Sequence, residues 1–114
     1  MTLQDLLDKY PKIFDVSYAR EWMIPTTWVG LVDRMCQEIQ SFHDLYPDLD
    51  QVKCVQMKEK FGTLRFYTDF TTPRVDDIIG SYESISSGIC QECGCEHCNT
   101  YPTESGWIKY LCQP

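Results

Sequence analysis

The distribution of cysteines constrains this chain more than any other feature. Seven are present, and Cys90, Cys93, Cys95, Cys98 and Cys112 crowd the C-terminal end of a 114-residue sequence. Cys90-Gln-Glu-Cys93-Gly94 forms a CxxCG knuckle. Two thiolates at this spacing bite one ion, and the glycine lets the backbone turn sharply around the sulfurs. Cys112 closes the stretch Gly106-Trp107-Ile108-Lys109-Tyr110-Leu111-Cys112. This is most of a CxxC…CxxC zinc signature, and the sequence reaches Pro114 before a second CxxC is complete. A structural zinc takes four ligands. Cys90, Cys93 and Cys112 are therefore expected to share Zn²⁺ with one group lying between them. Cys98 is preferred because it closes a loop of comfortable length. His97 comes next, and Cys95 last, since it follows Cys93 too closely and tends to point away. A pair of disulfides is the competing reading. The odd cysteine count and the acidic N-terminus MTLQDLLDKYP, which lacks a secretory h-region, argue against it. The ion is read as structural, because Glu92 and Glu96 lack the H-x-E motif that a deaminase-like zinc site needs.

The remaining cysteines, Cys36 and Cys54, stand among apolar neighbours and read as small buried hydrophobes. Length allows one domain over residues 1–114, with a helical and hairpin core at 1–88 and a zinc-binding tail at 89–114 packed on it. No run of ~18 apolar residues marks a membrane span. Thr2 and Asp5 open an amphipathic helix that Pro11 stops. Residues 12–25 read as a loop anchored by Ile13, Phe14, Trp22 and Ile24. A longer helix is predicted over 27–45, capped by Thr26 or Thr27. Its apolar stripe runs through Trp28, Leu31, Val32, Met35, Ile39, Phe42 and Tyr46. Residues 52–70 switch to alternation around a glycine turn, which predicts a hairpin. Thr72-Pro73 opens a third helix, with Val75, Ile78, Ile79, Tyr82 and Ile85 inward. Residues 107–111 read as a short strand returning to the metal. The expected fold is α+β, with three helices, a small antiparallel hairpin and a C-terminal zinc-ribbon-like subregion.

Charge narrows the partners. The chain has 17 acidic and 10 basic residues, a net charge of −7. Such a chain repels nucleic acid at long range and is attracted to basic protein surfaces. Asp44, Asp48, Asp50, Asp76, Asp77 and Glu83 fall on expected exposed helix faces and are the candidate partner-binding acids. Residues 51–70 go against the trend. There Lys53, Lys58, Lys60 and Arg65 alternate with Phe61, Phe66 and Tyr67, a composition shared by nucleic-acid platforms. Alternation alone would also give a sheet with one solvated basic face and one buried aromatic face. Enzymatic chemistry has little to stand on. No phosphate loop, nucleophile elbow or HExxH is present, and His43 lies too far along its helix from Cys36 to pair with it.

The stretch Val55-Gln-Met-Lys-Glu-Lys-Phe-Gly-Thr-Leu-Arg-Phe-Tyr67, followed by a helix, the CxxCG knuckle and Gly106-Trp107…Leu111-Cys112, resembles a family of short phage and prophage proteins. Lys9-Tyr10-Pro11 and the helix from Trp28 to Ile39 fit the same layout. The family pattern ends in LCxxC, whereas this chain offers Cys95, His97 and Cys98 instead. In size, charge, metal and origin the chain is also similar to zinc-containing anti-CRISPR proteins. These resemblances imply a non-enzymatic phage or mobile-element protein in the bacterial host cytoplasm. It would act as a monomer that binds and inhibits a host defence nuclease of the Cas9 type by blocking guide or target nucleic-acid loading, without touching nucleic acid itself. The alternative is a nucleic-acid-binding zinc module in phage or host regulation.

Overall fold

Thr2 starts the first helix with a reciprocal cap. Its Oγ1 accepts the Asp5 amide at 3.1 Å, while the Asp5 carboxylate accepts the Thr2 amide at 2.8 Å. The computed structural model describes residues 1–96, 99–104 and 106–112. Helix α1 spans Leu3–Lys9. The next residue, Tyr10, donates its hydroxyl to the Asp33 carboxylate at 2.7 Å, and Lys9 pairs with the same carboxylate at 2.9 Å. Asp33 thereby fixes α1 against α2, which spans Val29–Leu45.

Residues 12–25 are more ordered than the expected loop. Val16–Glu21 and Thr26–Trp28 are 3-10 helices, so the helical segments exceed the three that periodicity predicts. Asp15 caps the first of these by accepting the Ser17 amide. The second corrects the expected start of α2. Neither Thr26 nor Thr27 caps that helix, whose N-cap is Trp28 without a side-chain bond. The Thr27 hydroxyl instead donates to the Gln91 carbonyl at 3.3 Å.

Strands β1 (Cys54–Lys60) and β2 (Thr63–Thr68) form the predicted hairpin. Val52 and Phe70 lie outside both strands. Met57 pairs with Phe66 and Glu59 with Leu64 on one face, while Gln56 faces Tyr67 and Lys58 faces Arg65 on the other. Met57, Leu64 and Phe66 are buried. The turn residues Phe61 and Gly62 both have positive φ, 54° and 81°, the pattern of a type I′ turn, which favours Asn, Asp or Gly. Placing a phenylalanine there costs roughly 1–2 kcal/mol, and little burial offsets it, since Phe61 is 64% exposed. On the other edge of β1, Trp22 bridges in parallel to Met57 and donates its indole N–H to the Cys54 carbonyl at 3.1 Å.

Helix α3 spans Pro73–Ser86, with Thr72 capping the Val75 amide. It runs back along β2. Glu83 accepts the Phe66 amide at 2.9 Å, and the buried Ser86 hydroxyl accepts the Leu64 amide at 2.8 Å. The inward stripe is corrected at its end, where Ile85 is exposed and Ser86 takes the buried place. One hydrophobic core joins Trp28, Met35, Ile39, Leu64, Phe66 and Ile78, with Tyr82 packed partly against it. Tyr46, expected on the buried stripe of α2, is exposed. The final expected strand shortens to β4 (Tyr110–Leu111), paired antiparallel with β3 (Tyr101–Pro102), a strand that no residue pattern announces. The α+β class stands, with a two-stranded antiparallel hairpin and a C-terminal cysteine cluster. Among the described residues no helix is long and apolar enough to cross a membrane.

Candidate metal centre and the surfaces beside it

The knuckle forms because Gly94 turns where another residue would strain. At φ +75° its amide returns to the Cys90 carbonyl at 2.8 Å. The Cys93 amide points at the Cys90 sulfur, 3.5 Å away, and the Cys90 amide donates to the Cys95 carbonyl at 3.1 Å. The second half of the centre returns on β4. Gln91 grips Tyr110 twice, its amide donating to the Tyr110 carbonyl at 3.0 Å and its Oε1 accepting the Tyr110 amide at 3.1 Å. Cys112, two residues on, is thereby delivered to the knuckle.

The ligand atoms of Cys90, Cys93 and Cys112 all lie within 4.8 Å of one another, a group able to hold a metal ion. The Cys93 and Cys112 sulfurs are 3.7 Å apart. Sulfurs held tetrahedrally at ~2.3 Å from one ion sit about 3.8 Å apart, so the spacing fits a shared tetrahedral site. The Cys93 amide, then the Cys112 amide, pulls the Cys90 thiol down to about 6. Hydrogen bonding with Cys93, then with Cys90, holds Cys112 up to about 11.

Cys90 is buried at the edge of the core, Cys112 is half-buried and Cys93 is exposed. Of the possible fourth ligands, Cys98 and His97 lie outside the described residues, and Cys95 is disulfide-bonded. Cys36 and Cys54 are buried free thiols, as expected, and burial pushes both upward. His43 is buried and accepts the Val52 amide at 3.4 Å, a structural task.

Several contacts among the described residues tie the tail to the body, Thr100 donating its hydroxyl to the Ser87 carbonyl at 2.6 Å among them. Arg34 on α2 pairs with Glu96 at 2.9 Å, and Thr27 holds Gln91. The Tyr110 ring covers the hairpin turn so closely that a Cβ on Gly62 would stand 2.6 Å from it.

Two surfaces flank this centre. Helices α2 and α3 enclose an open groove of about 900 Å³, lined among others by Phe42, Leu45, Tyr46, Leu49, Arg74 and Tyr82. Leu45 is 76% exposed and Tyr46 is 55% exposed. Leu45 stands off the core stripe of α2 and Leu49 follows soon after that helix, which is the sequence signal that would have revealed the groove. Arg74, on the first turn of α3, lines it with the last turn of α2, so Asp76 and Asp77 stand near that end of the groove, whereas Asp44 and Asp50 line a separate cavity with Lys12, Gln40 and His43 and Asp48 follows the end of α2. All five acids are exposed. Glu83 stands apart, because its carboxylate is committed to the Phe66 amide. The second surface is the outer face of the hairpin. It carries Lys58, Lys60, Arg65 and Tyr67, while Phe66 is withdrawn into the core and Lys53 pairs with Asp15 at 3.4 Å.

No family model, curated protein or solved structure matches the chain.

Proposed function

We propose that this chain is a non-enzymatic binding protein. It presents the α2–α3 groove, with acids around one end, to a basic protein surface. The observation that carries this reading is the open groove between α2 and α3, where Leu45 and Tyr46 are exposed and Asp76 and Asp77 follow Arg74 at the start of α3. An apolar centre with a charged rim has the anatomy of a protein interface. Acids around it select a basic partner and speed encounter.

The partner this reading names, from the resemblance to phage and anti-CRISPR proteins, is a host defence nuclease of the Cas9 type. Such an effector holds its heteroduplex in a positively charged channel. A compact protein of charge −7 competes there with phosphates. The metal is assigned as one structural Zn²⁺ on Cys90, Cys93 and Cys112, with His97 rather than a further cysteine completing the set, since Cys95 is disulfide-bonded. Three converging thiols suit zinc better than an oxygen-seeking cation.

The test is a cleavage assay against Cas9-type effectors, with inhibitor titrated through equivalence. Inhibition should saturate at a stoichiometric ratio and weaken as salt rises. Reversing Asp44, Asp48, Asp50, Asp76 and Asp77 together should weaken it by at least about tenfold with little change in melting temperature. Glu83 is left out of that set, since Glu83→Lys would remove a partner of the Phe66 amide and lower stability by itself. Undiminished inhibition by the five-fold variant would reject the acidic rim. Failure to bind any such effector would reject the nuclease. Elemental analysis finding no zinc would reject the metal.

A further inference from the structure

The metal-bearing tail does more than close on itself. It brings Trp107 to the tip of the hairpin, where Trp107 and Phe61 line one shallow cleft with Lys60, Glu59, Gly106 and Ile108. Phe61 is 64% exposed and Trp107 is 67% exposed. The cleft holds about 140 Å³, well below the ~300 Å³ at which pockets for whole small molecules begin. It suits a flat ring laid against an aromatic side chain.

Its surroundings are cationic. The Lys60 Nζ stands 5.8 Å from the Phe61 ring centre, and the Lys58 Nζ stands 6.0 Å from that of Tyr67. Arg65 faces Lys58 across the strands. The ion pairs among the described residues engage Lys9, Arg34 and Lys53, and none engages these three cations, although acids outnumber bases in the chain. Glu59, the carboxylate in the cleft, accepts the Gly62 amide at 2.7 Å and so is turned to the loop.

Phe61 is the decisive residue. It occupies a left-handed position that asparagine or glycine would fill without strain. Its exposed ring gains little from the core in return. Folding does not account for a phenylalanine here, whereas a ligand that stacks does.

We propose that the Phe61–Trp107 cleft, with Lys58, Lys60 and Arg65 along the adjoining strand face, binds single-stranded nucleic acid. Bases stack on the two rings and phosphates run over the cations. The chain's overall negative charge does not forbid this. Asp76 and Asp77 sit at the N-terminal end of α3, and Ser86, at the C-terminal end, contacts Leu64 near the hairpin tip. Asp76 and Ser86 are ten residues apart on this helix, about 15 Å, well over one Debye length of ~8 Å at physiological salt. This site is independent of the protein partner proposed above and of that partner's identity.

The test uses the full chain loaded with zinc and a labelled 12-nucleotide single strand, as DNA and as RNA. The same sequence as a duplex and a polyglutamate peptide of matched charge serve as the other arms. Fluorescence anisotropy reads affinity, and quenching of indole emission reads stacking on Trp107, since Trp22 and Trp28 are buried. Single strands should bind more tightly than duplex or polyglutamate, quench the emission, and lose affinity as salt rises. Phe61→Asn and Trp107→Ala should each weaken binding at least about tenfold. Phe61→Asn should leave the melting temperature unchanged or raise it, because asparagine suits the turn. No binding of single strands at low salt would overturn the proposal, as would a preference for duplex or polyglutamate. So would a Phe61→Asn variant that binds like the parent. Should Trp107→Ala disturb the tail, the Phe61→Asn result decides alone.

Discussion

His43 shows what a single side chain costs and supports. It is buried on α2, and its Nε2 accepts the Val52 amide just ahead of β1. Burial lowers its pKa, and Asp44 beside it opposes the shift. The unfolded chain therefore takes up a proton below the ordinary histidine value of ~6.5, while the folded chain resists. Stability is fully present above that pH and falls as the medium is acidified below it. Denaturant titrations between about pH 7.5 and 5.5 should show this decline, and His43→Gln should flatten it. An undiminished slope in that variant would assign the decline to other groups. Residues differ in how openly the sequence shows such roles. The burial of Cys36 and Cys54 is legible because their neighbours are apolar. The burial of Ser86 and the exposure of Ile85 are not. A polar residue displaces an apolar one there because the Leu64 amide, buried beside β2, needs an acceptor.

At the scale of elements, the long helices and the hairpin follow from periodicity. Their caps and ends follow only in part, because tertiary bonds compete. Thr27 is a fit N-cap by sequence, yet it serves the Gln91 carbonyl in the tail. β3 has only two residues and owes its pairing to the return of β4, so no local pattern announces it. The tail has few apolar anchors apart from Ile89 and Cys90, and a metal ion held by Cys90, Cys93 and Cys112 would supply what its short strands cannot. Chelation should therefore release residues 91–112 and spare the core. Hydrogen exchange should then rise at Gln91, Thr103 and Tyr110, whose amides are bonded within the tail, and stay slow in α2. Thiol labelling read by mass spectrometry should reach Cys90, Cys93 and Cys112 and leave Cys36 and Cys54 unmodified. Global unfolding on chelation would show that tail and core are one cooperative unit.

For the molecule as a whole, composition states a net charge but not where its parts lie. The chain extends 48 × 25 × 24 Å. The antiparallel course of β2 and α3 sends the Asp76 and Asp77 end away from the basic hairpin tip. The meeting of Phe61 with Trp107 cannot be read from residues so distant in sequence. Two remote surfaces should respond independently. Reversing Asp76 and Asp77 should change oligonucleotide affinity by no more than about twofold, and combining it with Phe61→Asn should give additive losses in free energy. A large coupling, measured as a double-mutant cycle, would mean that one ligand spans both ends. The notch at Gly62 also sets an order in time. The Tyr110 ring lies on a turn that must already exist. A hairpin closes in about 1–10 μs, whereas the tail has to loop back from Cys90 to bring Cys112 home. On the proposed zinc site, metal capture would thus be a late step in the maturation of a newly made chain. Until it happens, three neighbouring thiols stand open to whichever reaches them first, the ion or an oxidant.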